Sequence, residues 1–153
     1  MKNLLPKPLS LSRHAFTASG VLALSLFCYS PALMADTTLF SPLPPDTASL
    51  GQYQWHRRPV VIFAPSEKDA DYVRQIAMLE KSSAELAERD IIVLSDTSPA
   101  ASGQLRSQFK PSGFEVVLVG KDGGVKIRQK TPLTSEELLS TIDRMPMRKA
   151  DLR

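Results

Sequence analysis

Three short runs of the chain, VVIF at Val60–Phe63, DIIVL at Asp90–Leu94 and FEVVLV at Phe114–Val119, are apolar at nearly every consecutive position. Successive side chains of a strand point to opposite faces, so a run without alternation has both faces buried. That condition belongs to a central strand lying between layers of helix. The intervening segments supply the helices. Tyr72, Ile76, Leu79 and Leu86 recur at helical spacing within Asp69–Arg89, with Val73 and Ala77 widening the stripe. After the turn-forming loop Ser95–Gly103, Gln104–Phe109 reads as a short helix holding Leu105 and Phe109 inward.

The GKDGG turn at Gly120–Gly124 carries an Asp-Gly pair suited to a tight hairpin. Beyond it Val125–Lys130 alternates apolar and basic residues, as a half-exposed strand antiparallel to the third would. A last helix over Ser135–Arg144 turns Leu138, Leu139 and Ile142 inward, and the tail MPMRKADLR follows it. The order is β-α-β-α-β-β-α. Right-handed crossovers and a closing hairpin then give an α/β fold, a thioredoxin-like three-layer sandwich with a mixed four-stranded sheet.

The first 35 residues read differently. Lys2, Lys7 and Arg13 precede the apolar stretch VLALSLFCY at Val21–Tyr29, and small residues follow in SPALMAD. This is the pattern of a secretory signal peptide, with cleavage expected after Ala35. The apolar stretch is shorter than the roughly 20 residues that span a bilayer, so no stable membrane insertion is expected once the signal is removed. Cys28, the one cysteine, falls in the signal's apolar core, and Phe27 before it is not the small residue of a lipid-attachment site. The remainder has no thiol, hence no disulfide framework or thiol chemistry of its own. Removing three of 19 cations and none of 16 acidic residues leaves the charges balanced, which takes away the basis for a nucleic-acid partner. Residues 36–52 form a proline-rich lead-in whose Leu39, Phe40 and Leu43 are the groups able to dock on the domain, and 53–153 form the domain. A periplasmic or secreted location follows from the signal.

The stretches YQWHRRPVVIFAPS, LAERDIIVLSD, GFEVVLVGKDGGVKIR and ELLSTIDRMPMR resemble a bacterial family of unknown function with a thioredoxin-like fold. The same domain, called DUDES, occurs in animal secreted matrix and sushi-repeat proteins. The resemblance covers about Leu50 to Arg153, with GKDGGVK and DRMPMR its more specific signatures. It implies an exported domain with no established reaction. In a working thioredoxin the redox cysteines follow the first strand, and a cis-proline precedes the third. Here the first place holds Pro65, Ser66, Glu67, Lys68 and Asp69, and the second holds Gly113-Phe114-Glu115. Disulfide exchange requires a thiolate, so this is not a thiol-disulfide oxidoreductase.

Ser66 and Asp69 stand at the carboxyl end of a strand, where sites of open α/β sheets lie. A nucleophilic Ser66 needs a base, and His56 is the one histidine beyond the signal. The stronger reading is a capping box, Ser66 capping the helix and Asp69 returning the bond, a pattern repeated by Thr134 and Glu137. Glu67, Asp69 and Asp71 lack the ligand number and the glycine of a calcium loop. Met145 and Met147 are too few for copper(I). Gly120, Gly123 and Gly124 precede a strand rather than a helix, against a phosphate cradle. No metal or cofactor is expected. Trp55, Arg57 and Arg58 are the residue types of interface hot spots, although Trp55 reads more readily as a core anchor under the lead-in. The expected function is a redox-inactive binding module for an envelope or extracellular macromolecule, with Trp55, Arg57, Arg58, Ser66 and Asp69 as candidate binding residues. The alternatives are an enzyme with a non-thiol site after the first strand, and a small-ligand pocket between the first helix and the Ser95–Gly103 loop.

Overall fold

Alternation along the buried strands sorts the core into two layers. In a computed structural model that describes residues 38–152, Val60 and Ile62 of strand β2 (Arg58–Phe63) enter one apolar cluster, whereas Val61 and Phe63 enter the other. β3 (Ile91–Asp96) and β4 (Glu115–Val119) divide their side chains in the same way. The first cluster is closed by Leu79 of α1 (Ala70–Lys81), Leu86 of α2 (Ser83–Glu88), and Leu138 and Ile142 of α4 (Ser135–Asp143). Leu105 of α3 (Gln104–Phe109) and Leu43 close the second. The helix–sheet–helix arrangement expected from the continuous runs is present.

The sheet has five strands rather than four, in the order β1-β3-β2-β4-β5. The added strand, β1 (Phe40–Pro42), comes from the proline-rich lead-in and pairs in parallel with β3. Val93 and Leu43 donate to the carbonyls of Leu39 and Ser95, at 2.7 and 2.8 Å. Three residues ending in proline show no period, which is why the lead-in reads as merely extended. β2 runs parallel to β3 and antiparallel to β4, and β4 forms the expected hairpin with β5 (Val125–Gln129). Gly123 turns that hairpin at φ +82°, in the region glycine enters without strain.

The long helix predicted over Asp69–Arg89 divides at Ser82. The Ser82 amide reaches back to Leu79 and Glu80, tightening the turn before α2 begins. Val73 and Ala77 face solvent, not the core. Gln75 takes the inward place instead, fully buried, its amide donating to the Leu133 carbonyl at 2.9 Å and accepting from the Leu133 N–H at 2.7 Å. Pairing both groups offsets the cost of burying the amide. The tail after α4, left unassigned by the sequence, forms α5 (Pro146–Asp151), which proline opens at a position where no backbone donor is missed. The signal-peptide reading and Cys28 lie outside the described residues.

Candidate functional site

The loop after β2 carries Ser66 and Asp69, and the structure assigns their roles differently from the capping-box reading. Asp69 is the cap: its carboxylate accepts from the Asp71 and Tyr72 amides at 3.1 and 3.0 Å. The Ser66 hydroxyl accepts only from the Lys68 amide at 3.3 Å, one turn too early to cap the helix. The correction has a simple cause. A carboxylate placed immediately before the first helical residue reaches both free N–H groups, and its charge favours the helix amino end. At α4 the expected cap is present, with Thr134 accepting from the Glu137 amide at 3.2 Å.

Behind this loop the carboxyl ends of β2 and β3 are tied together. Arg106 donates to the Asp96 carboxylate at 2.8 Å, to the Asp96 carbonyl at 2.8 Å and to the Ala64 carbonyl at 3.0 Å. Its guanidinium lies over the Phe63 ring, 5.5 Å from the centroid. Beside it a cavity of about 350 Å³ is lined by Pro44, Glu67, Asp96, Ser98 and Arg106. A second, of about 360 Å³, lies between α1 and the loop after β3, against Glu67, Tyr72, Ile76 and Thr97. This is the place proposed for a small-ligand pocket, and the charged groups against it, Glu67 and Glu80, are both acidic.

His56 does not join this end. It precedes β2, whereas Ser66 follows it, and six extended residues span roughly 20 Å. No Ser66–His56 pair is assembled. Among the described residues no three His, Cys, Asp or Glu side chains converge as metal ligands.

The opposite end of β2 is arranged differently. Trp55 is 59% exposed, which corrects the core-anchor reading, and its backbone is left-handed at φ +69°. Large side chains rarely adopt that conformation. It is held by the Trp55 N–H, which donates to the Lys121 carbonyl at 2.7 Å, and by Gln54, whose amide donates to the Asp122 carbonyl at 3.2 Å. The hairpin turn thus fixes the Trp55 turn and presents the indole to solvent. Arg57 is half-buried beside it.

Arg58 does not share that exposure. As the first residue of β2 it is 1% exposed, which corrects its placement on an outward face with Trp55 and Arg57. One nitrogen donates to the Arg89 carbonyl at 2.8 Å. Asp90 and Asp151 stand at 3.7 and 3.8 Å, beyond hydrogen-bond distance, and Nε and Nη2 have no partner. Burial lowers the guanidinium's proton affinity, and the two carboxylates oppose that only in part. Lys121 takes Asp90 at 2.8 Å. Next to this group, Arg89 holds Asp143 through two bonds of 2.8 and 3.0 Å, and Arg148 holds Glu88 at 2.7 Å.

The family described as a domain of unknown function, DUF4174, matches residues 49–151. The chain belongs to the DUF4174 family. Among solved structures, the reduced 2-Cys peroxiredoxin of Plasmodium vivax is similar at 14% identity and a TM-score of 0.50, covering 68% of this chain and 85% of that one. Thioredoxin peroxidase I of Plasmodium yoelii gives 14% and 0.50, over 66% and 79%. Likeness at this identity concerns the fold, and it makes the DUF4174 domain thioredoxin-like. The loop Ala64–Asp69, which follows β2, holds no thiol.

Three polar residues central to the DUF4174 domain were not legible as such. Gln75, Arg58 and Arg148 are buried because their partners lie far along the chain, and neither periodicity nor composition registers such pairs. The signal available for Trp55 was its setting, YQWHRR, in which no apolar residue flanks it.

Proposed function

We propose that this DUF4174 domain is an exported, redox-inactive binding module, and that the face around Trp55 and Arg57 receives an envelope or extracellular macromolecule. The observation that carries the reading is the exposed indole of Trp55 on a left-handed backbone. Backbone strain of that kind costs of order 1–3 kcal/mol and persists where surrounding structure enforces it, commonly at ligand contacts. Tryptophan and arginine dominate the energetics of interfaces. Export rests on the signal-like residues 1–35, and the resemblance to the DUDES domain of animal secreted proteins agrees with it. The absence of a thiol from residues 36–153 supports recognition in place of redox exchange. Loss of the Ser66–His56 pairing removes the principal support for the enzyme reading.

The test is capture from envelope extract by the full chain and by its Trp55→Ser form. The variant is expected to keep the parent circular dichroism spectrum and to retain less than a tenth of a stoichiometric partner, as the loss of a central tryptophan usually costs 2 kcal/mol or more, about a thirtyfold change. Equal retention by both forms would move the interface elsewhere.

A further inference from the structure

At the same end of β2 lies a cavity of about 350 Å³ whose wall includes Arg58, Lys121, Lys126, Arg144, Met145 and Met147. That volume falls within the usual size range of small-ligand sites, which combine an apolar lining with a few charged groups. The charges are unevenly balanced. Lys126 is paired with Asp122 at 2.7 Å, and Lys121 is held by Asp90 at 2.8 Å and Asp151 at 3.6 Å. Arg144 stands exposed and donates only to the Thr141 hydroxyl, at 3.3 Å, among the described residues. Arg58 lies buried with two nitrogens unpartnered. Two guanidinium groups therefore border one cavity without a hydrogen-bonded carboxylate. The covered nitrogens of Arg58 act on the cavity through their field, which buried surroundings screen weakly. The exposed Arg144 can grip an anion directly. Gly120 completes the wall: a Cβ there would stand 2.6 Å from both Asp122 Oδ1 and Lys126 Cε, so a larger residue would push these two side chains aside.

We propose that this cavity binds a small organic anion, its carboxylate or phosphate group drawn toward Arg58 and Arg144 and its apolar part laid on Met145 and Met147. The site is separate from the macromolecular contact assigned to Trp55, and it stands or falls without it. Oxyanions match the planar fork of arginine, and methionine adapts to apolar groups of varied shape.

The chain has one tryptophan, Trp55, whose backbone N–H donates to the carbonyl of the cavity residue Lys121. The backbone amide resonances of Gly120 to Lys126 report on the cavity wall directly, and Trp55 emission reports on the turn bonded to it. The full chain is titrated with octanoate, octyl phosphate, inorganic phosphate and octanol. At least one of the two amphiphilic anions is expected to give a saturable change at a concentration tenfold or more below that needed for octanol. Arg144→Gln is expected to weaken that anion roughly tenfold or more, the loss of one hydrogen bond to a charged group. Arg58→Met should weaken it also, and Arg144→Gln, altering an exposed residue, keeps the test valid if the Arg58 form is poorly folded. A response to octanoate or to octyl phosphate alone identifies the carboxylate or the phosphate as the recognised group, and saturation by inorganic phosphate places the affinity in the phosphate itself. Octanol binding as well as the anions, unchanged affinity in Arg144→Gln, or silence of both reporters up to millimolar anion overturns the proposal. None of these readings involves an extract or a partner, so failure here is distinct from failure of the Trp55 interface.

Discussion

At the carboxyl end of β2, Arg106 makes three hydrogen bonds to groups on two strands and covers an aromatic ring. At the amino end of β2, the more deeply buried Arg58 makes one and leaves two nitrogens without hydrogen-bond partners. The first arginine completes the fold at the carboxyl ends of two strands. The second is held in place by the fold but not satisfied by it. A guanidinium with matched acceptors is structural in effect. One that is buried and unmatched is a standing attraction for anions, and it lies on the same side of the molecule as the strained, exposed Trp55. The binding sites proposed above therefore lie away from the end where sites of open α/β sheets usually lie.

The difference can be broken most directly by removing each arginine in turn. Arg106→Met leaves the Asp96 carboxylate almost buried and without its cation, and is expected to cost about 3 kcal/mol of unfolding free energy in urea. Arg58→Met removes a charge that Asp90 and Asp151 compensate only in part, while Lys121 continues to hold Asp90. Its cost should stay below about 1 kcal/mol, since replacing a poorly matched buried ion with an apolar side chain is often neutral. Equal losses would erase the distinction between the two ends.

A smaller effect sharpens it through pH. The Arg89 hydrogen bonds hold the Asp143 carboxyl below the ordinary aspartate range. Its contribution is therefore present above about pH 4, the ordinary aspartate value, and is lost as pH falls through the lower folded value. Asp143→Asn should flatten that part of the acid limb in thermal unfolding, with little change at the basic end. An unchanged acid limb would remove Asp143 from the ion network around Arg58.

The smallest expected effect concerns Trp55. Glycine relieves the left-handed strain but adds freedom to the unfolded chain, two terms of about 1 kcal/mol each and opposite in sign. Trp55→Gly should thus leave the midpoint of unfolding within about 1 kcal/mol of the parent by denaturant titration. A large loss would return Trp55 to the role of a packing residue.

The three central strands were readable because burial on both faces leaves a signature in consecutive residues, as in Val60–Phe63. β5 was readable by the opposite signature, alternation. Elements that depend on a distant partner were not. Phe40–Pro42 becomes a strand only because β3 offers it a free edge, and Pro146–Asp151 follows a proline in a segment without a marked stripe. The same limit governs the site. Residue type was enough to nominate Trp55, Arg57 and Arg58, but which of them turns outward depends on the hairpin carbonyls that hold the turn, residues more than 60 positions away.

The short strand β1 has a consequence for how the chain can be cut. The family match begins at residue 49, yet the sheet begins at Phe40. A chain shortened to the family boundary would leave the outer row of β3 donors and acceptors uncapped along Val93–Ser95, and such edges recruit strands from neighbouring molecules. Nine residues outside the recognised boundary therefore act as a guard against self-association.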